Sequence, residues 1–273
     1  MPETPLPSDG EFRLESVILS GRRVRAYNGT DEPVAWVADD LTSDSGRTWR
    51  LLSEMAAETG LQPILCVPPD RHPEKWHPDD YFAMPCDIAE IDQLNSEDIL
   101  AREWEGRAVE DGDLGDEVQQ WDPAESYAPF SRQFPGLAPP AEQPLTVADT
   151  LRALDTLPPA RVCLVAVRRA ADIPCAVGWE VTDAWESMLP VSAVLRSWED
   201  RFGARLVVMG PSAEIRLLVE RPPRTPAAAQ AVAAELWAFC DAMADEGGRF
   251  TLTTVAGITA HIPNAPTWEF WWD

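Results

Sequence analysis

Trp198, Glu199, Asp200 and Arg201 place an indole, two carboxylates and a guanidinium at four consecutive positions, and Asp241, Trp271 and Asp273 supply further groups of the same kinds. An arginine among carboxylates and aromatic rings can bind a small molecule, with the carboxylates as acid/base groups. The same residue types also build ordinary ion-pair networks around packed rings, the commoner outcome on a helix surface. The candidate binding residues are therefore Trp198, Glu199, Arg201, Asp241, Trp271 and Asp273, with no catalytic residue assigned.

Other routes to chemistry are poorly supplied. G-x-G-x-x-G, G-x-x-x-x-G-K-[ST], G-x-S-x-G and H-E-x-x-H do not occur, and the single lysine, Lys75, follows no glycine-rich loop. His72, His77 and Cys86 have no spacing that a structural zinc site uses, and His261 stands alone near Pro263, so neither a metal nor a cofactor is expected. Cys66, Cys86, Cys163, Cys175 and Cys240 are odd in number and set among apolar residues, which favours reduced thiols over a disulfide framework.

The elements that must position these residues follow from periodicity and punctuation. Phe12–Leu19, Val24–Tyr27 and Pro33–Val37 read as a meander broken at Ser20-Gly21 and Asn28-Gly29. Asp44 or Ser45 opens a helix to about Thr59, with Trp49, Leu52, Met55 and Ala56 on one stripe and Gly60 at its end. Leu61–Val67 is a strand, the Pro-rich stretch 68–85 a loop, and Asn95 or Ser96 starts a further helix supported by Asp98/Arg102 and Glu103/Arg107 pairs.

In the second half, a helix over Thr146–Leu157 precedes a strand over Arg161–Val167 and a short strand near Cys175–Trp179. Ser192–Gly203 is a helix with Val194, Leu195, Trp198 and Phe202 on one side. Leu206–Met209 and Glu214–Glu220 form a hairpin around Gly210-Pro211-Ser212, and Thr225-Pro226 starts a helix to about Ala244. The tail Trp268–Asp273 alternates as a strand. The fold class is α+β: a mostly antiparallel sheet with packed helices, closed by a C-terminal Trp-rich strand. Trp36, Trp49, Trp179, Trp198 and Trp237 read as core, whereas Trp76, Trp104, Trp121 and Trp185 stand among polar residues and read as contact anchors.

Charge divides the chain. The 273 residues carry a net −24, and residues 87–126 alone hold fourteen acidic and two basic side chains, half of that total. Three regions result: an N-terminal α+β region over 1–86, an acidic helix and mobile linker over 87–130 centred on 110–126, and a C-terminal domain over 131–273. Such a surface repels nucleic acid and anionic membrane and complements a basic protein. The N-terminus lacks an apolar signal segment and no run approaches the ~18 apolar residues of a membrane span, so a cytoplasmic location is expected. Lys75 as the only lysine among 22 basic residues, beside abundant Ala, Pro and Arg, fits a high-GC bacterial genome.

The run Ser192-Ala193-Val194-Leu195-Arg196-Ser197-Trp198-Glu199-Asp200-Arg201-Phe202-Gly203-Ala204-Arg205, then Ala233-Ala234-Glu235 before Ala238-Phe239-Cys240, then Trp268 to Asp273, resembles the bacterial family called domain of unknown function 4253. Phe134–Pro139, Arg168 with Ala171-Asp172, and Gly178-Trp179 add to the likeness, which is specific from about residue 130 onward and looser over the first half, as at Gly60–Leu65. Where members of that family carry a Pro-Asp-Asn type segment, this chain has Asp241-Ala242-Met243-Ala244. The resemblance implies boundaries and no chemistry. Charge and the missing catalytic motifs favour protein–protein recognition, in the manner of an immunity protein or antitoxin neutralising a basic partner. The alternatives are an enzyme with a Trp/Arg/carboxylate pocket and a structural module of a larger assembly.

Overall fold

A computed structural model of the chain describes residues 5–27, 29, 31–69, 76–110, 123–179, 185–210, 213–240, 243–244 and 251–272. Its strands are β1 (Gly10–Leu14), β2 (Val17–Val24), β3 (Ala35–Ala38), β4 (Gln62–Cys66), β5 (Arg161–Val165), β6 (Ala204–Met209), β7 (Glu214–Val219), β8 (Met243–Ala244), β9 (Thr251–Leu252) and β10 (Thr267–Trp271). They form one ten-stranded sheet in the order β1-β2-β3-β5-β4-β6-β7-β10-β8-β9. Every pairing is antiparallel except β4 with β6, where Leu65 faces Val208 and Cys66 faces Met209. The expected α+β class with a mostly antiparallel sheet is what the chain adopts. Residues from the first and last of the three charge-defined regions meet in this sheet, since β3 and β4 both pair with β5.

The helices are α1 (Ser45–Glu54), α2 (Ala56–Thr59), α3 (Ser96–Glu110), α4 (Pro123–Tyr127), α5 (Val147–Asp155), α6 (Ile173–Val177), α7 (Met188–Phe202), α8 (Pro226–Phe239) and α9 (Val255–His261). Alternation along the central strands sends side chains to two cores. Trp36, Leu65, Val162 and Leu164 pack with Trp49 and Leu52 of α1 and Leu154 of α5. Ile64, Cys163, Val165, Leu217 and Phe270 pack with Trp104, Trp198 and Phe239 on α3, α7 and α8. Strands buried on both faces explain why β4 and β5 read as continuous apolar runs.

Several expectations are corrected. The first turn of the meander falls at Glu15-Ser16, with Glu15 at φ 49, and Gly21 lies inside β2. A Cβ on Gly21 would sit 2.3 Å from the Val37 carbonyl oxygen and 2.6 Å from the Trp36 ring, so this glycine serves close approach between strands and not a turn. Residues 173–177 are helical where a strand is expected: Pro174 fills the first turn, where its missing N–H costs nothing, and Gly178 closes the helix at φ 61. Helix α7 begins four residues before Ser192, capped by Ser187 Oγ. Helix α8 stops at Phe239, because Cys240 is extended (φ −153, ψ 122) and Met243–Ala244 pairs with Phe270 and Glu269; the tertiary ladder overrides the helix preference of Ala and Met. Residues 123–127 of the expected linker are helical, and the rest of its centre, 111–122, lies outside the described residues.

Trp76, Trp104 and Trp185, expected as exposed anchors, are buried, as are Trp36, Trp49, Trp179, Trp198 and Trp237; Trp121 lies outside the described residues. Trp104 sits on the inward side of α3, its ring 4.9 Å from that of Trp237, and its indole N–H donates to Ser131 O at 3.2 Å. Polar sequence neighbours mislead here because helix faces, not adjacent positions, decide burial. Strand β10 meets the expectation for the tail: Trp268, Phe270 and Trp272 are buried, and the strand pairs with both β7 and β8. Among the described residues no helix is long and apolar enough to cross a membrane.

Candidate functional site

Helix α7 carries the charged candidates and α8 supplies the group that decides what they do. Val191, Val194, Leu195, Trp198 and Phe202 form the buried stripe of α7. The Trp198 ring lies 4.9 Å from Phe239, 5.6 Å from Phe270 and 5.7 Å from Trp268, so three elements meet on one indole. Such contacts contribute about 0.5–1.5 kcal/mol each beyond area burial.

Into this apolar cluster α8 projects one acid. The Glu235 carboxylate is fully buried and accepts from four donors: Trp198 Nε1 at 2.9 Å, Arg201 Nη1 at 2.7 Å, Arg201 Nη2 at 2.5 Å and the Ala138 amide at 2.6 Å. Arg201 Nη1 also donates to Ala138 O at 2.8 Å and its Nε to Ser197 Oγ at 3.1 Å. Each Arg201 nitrogen thus has an acceptor, and both carboxylate oxygens have two donors. A charge pair taken out of water holds only when its remaining hydrogen-bonding capacity is met in this way. The network closes the loop around Ala138 onto α7 and α8.

Glu199 turns elsewhere. Two positions from Arg201, it points to another side of α7, as the helical 100° per residue requires. There Arg169 Nε donates to Glu199 Oε2 at 3.1 Å, and Arg169 Nη2 to Asp200 Oδ1 at 2.7 Å and to Arg196 O at 3.0 Å. Arg196 in turn pairs with buried Asp172 and, at 2.6 Å, with Asp92. Burial pushes the Glu199 carboxyl above its ordinary range, with Arg169 opposing. This second network ties α7 to the turns at 170–172 and 88–93.

Of the six candidate residues, then, Trp198 and Arg201 come together on Glu235, while Glu199 belongs to the Arg169 group. Trp271 is half-buried and lies on the face of β10 opposite Trp268, Phe270 and Trp272; its carbonyl accepts from Cys240 Sγ at 3.1 Å. Asp241 and Asp273 lie outside the described residues. Glu235 was missed as a site residue, although the one charged residue in the Ala-rich helix 226–239, where Gln230 is the other polar side chain, is itself a signal that a buried cation awaits it. No group of three or more His, Cys, Asp or Glu side chains among the described residues is arranged to hold a metal ion.

The acidic stretch has a different character. Asp87 Oδ1 accepts from the Ala89 amide at 2.9 Å and caps the 3₁₀ turn Ile88–Gln93, and Asn95 Oδ1 accepts from the Glu97 amide at 2.8 Å to start α3. Ile91, Ile99, Leu100 and Trp104 bury the inner side. Asp87, Glu90, Asp92, Glu97, Asp98 and Glu105 are exposed, and Met84 at 67% and Leu94 at 39% exposure lie along the same segment. Glu97 and Asp98 also sit in the first turn of α3, where the helix dipole favours them. The segment is anchored by its apolar side and presents carboxylates with two apolar side chains to solvent.

Neither a curated protein nor a solved structure matches the chain. The family match begins at Arg161, later than the resemblance in the sequence, which starts at about residue 130, and covers β5 through β10 with Arg169, Trp198, Arg201 and Glu235, while Ala138 and the acidic segment fall outside it. It is over this C-terminal part, residues 161–273, that the chain matches the family model described as Domain of unknown function (DUF4253), the family that the run from Ser192 to Arg205 resembles.

Proposed function

We propose that the chain is a cytoplasmic protein–protein recognition module, acting like an immunity protein or antitoxin, whose face between Met84 and Glu105 neutralises a basic partner. The observation that carries this reading is the anchored segment itself: six exposed carboxylates beside exposed Met84 and Leu94, on elements pinned by Ile91, Ile99, Leu100 and Trp104. Carboxylates steer a cationic surface into encounter, and apolar side chains among them supply area to desolvate on contact. The enzyme reading draws its support from Glu199, a carboxyl that burial pushes above its ordinary range although it pairs with Arg169. Against it, Trp198 is fully buried and Arg201 is committed to Glu235, which leaves neither free to line a pocket.

The test is comparative capture from a native lysate. Immobilised wild-type chain and the variant Glu90→Gln/Glu97→Gln/Asp98→Asn/Glu105→Gln, which alters no cap and no buried pair, are exposed to the same extract. The reading expects one basic protein retained in stoichiometric amount by wild type and lost by the variant at equal melting temperature. Equal retention by both would show that recognition does not use this face.

A further inference from the structure

The sheet ends at β1, whose outer side pairs with no strand among the described residues. Residues 6–9 do not shield that side. They turn inward over the sheet, where Asp9 Oδ1 accepts from the Arg23 amide at 2.8 Å, Ser8 O from the Trp36 indole at 3.2 Å and Pro7 O from Arg23 Nε at 2.7 Å.

The neighbouring strands decide which backbone groups of β1 face outward. Ser20 O and Val24 O accept from the Asp39 and Val34 amides at 2.8 and 2.9 Å, so even-numbered residues of β2 turn to β3 and odd-numbered ones to β1. Leu19 and Val17 stand opposite Phe12 and Leu14, which are thereby bonded to β2. The N–H and C=O of Glu11 and Arg13 are left pointing away from the sheet. Their side chains are exposed on one face, where Arg13 Nε donates to Glu11 Oε1. Phe12 and Leu14 lie half-buried on the other face against the core around Trp36 and Trp49, the Phe12 ring 5.7 Å from that of Trp36.

Charge on an edge strand ordinarily keeps other strands away. Here the sign changes about Phe12, so a two-fold copy of the strand sets Glu11 against Arg13 and Arg13 against Glu11. We propose that the chain associates as a two-fold dimer through β1, antiparallel and centred on Phe12, which joins two sheets into one. Backbone and side chains agree on this register. Glu11 and Arg13 of the two copies form hydrogen-bonded pairs of opposite charge, using the backbone groups that β2 leaves free. The two Phe12 residues form the non-hydrogen-bonded pair between them, where side chains come closest, and carry the Trp36 core across the joint. Leu14 falls opposite Gly10, beside which a Cβ would meet nothing within 4 Å. Residues 10–24 hold three arginines against two glutamates in a chain of net −24, so the copies meet where their mutual repulsion is least.

The test is sedimentation equilibrium of the full chain from about 5 to about 500 µM in dilute salt, a range suited to a small interface. The mass should rise from 30.2 kDa towards twice that value. Glu11→Arg and Arg13→Glu each set like charges opposite one another at both pairs, and each should weaken dimerisation by about tenfold at an unchanged melting temperature in dilute solution. The charge swap Glu11→Arg/Arg13→Glu, and an equimolar mixture of the two single variants, should recover the wild-type affinity to within about threefold, which a merely disturbed strand would not do. A chain that stays monomeric across the range, a dimer indifferent to both single reversals, or a charge swap that recovers nothing would overturn the proposal.

Discussion

Arg201 on α7 and Glu235 on α8 form a two-pronged pair at 2.7 and 2.5 Å, with the carboxylate fully buried and the Trp198 indole on the same oxygen as the shorter bond. Residues with the composition of a binding site thus hold two helices and the Ala138 loop together.

Removing one partner leaves the other charge buried without compensation. Arg201→Met should therefore cost about 3–5 kcal/mol in urea unfolding, and Arg201→Met/Glu235→Leu should recover much of that loss, because a well-packed apolar pair carries no desolvation penalty. Equal stability of Arg201→Met and wild type would mean that the pair is solvated and open to ligands.

Strand β10 lies between β7 and β8, and its three inward rings pack on Trp198, Phe202 and Phe239. Phe270→Ala should cost about 3–5 kcal/mol, a large part of the ~5–15 kcal/mol of a typical domain. Deleting residues 268–273 should abolish the cooperative melting transition. A truncated protein with an unchanged transition would contradict the core role of the tail.

Two glycines make a matched pair. Gly21→Ala drives a Cβ against the Val37 carbonyl and should destabilise by about 1–3 kcal/mol. Gly106→Ala, in α3 with nothing within 4 Å of the added Cβ, should stabilise by about 0.5–1 kcal/mol. Denaturation midpoints of the two variants should move in opposite directions.

Glu199 gives a pH signature. Its folded-state pKa is raised by burial, so its contribution to stability is fully present below the unfolded value near ~4.3 and is lost as pH rises through the folded value. Glu199→Gln stays neutral throughout. The stability of the variant relative to wild type should therefore increase between pH 4 and pH 7, read as the difference in urea midpoints, whereas a difference that decreases with pH would mean that Arg169 outweighs burial.

The legible parts of the fold were those whose local chemistry and tertiary context agree. Gly60 and Gly203 close helices in the left-handed region, Thr225-Pro226 opens α8, and β7 and β10 follow their alternation. Failures arose where packing reversed a local signal: Gly21 looks like a turn and is a close approach, Cys175–Trp179 looks like a strand and is a helix closed by Gly178, and Met243 continues a helical composition yet joins the sheet. Trp104 among charged neighbours hid a core position, since α3 turns its other faces to water. In the candidate site, Trp198 and Arg201 were legible as residues, but their partner Glu235 and the separation of Glu199 depend on helix packing that spacing along one chain segment does not encode.

The recognition role of the acidic face is tested most directly by the association rate of a captured partner, followed by stopped-flow fluorescence from about 50 to about 500 mM salt. Exposed charges are screened beyond ~10 Å at 0.1 M and ~3 Å at 1 M, so steering by Glu90, Asp92, Glu97, Asp98 and Glu105 should slow association by roughly tenfold or more over that range while dissociation changes far less. An association rate that stays flat across the range, or one that falls equally in Glu90→Gln/Glu97→Gln/Asp98→Asn/Glu105→Gln, would contradict the account.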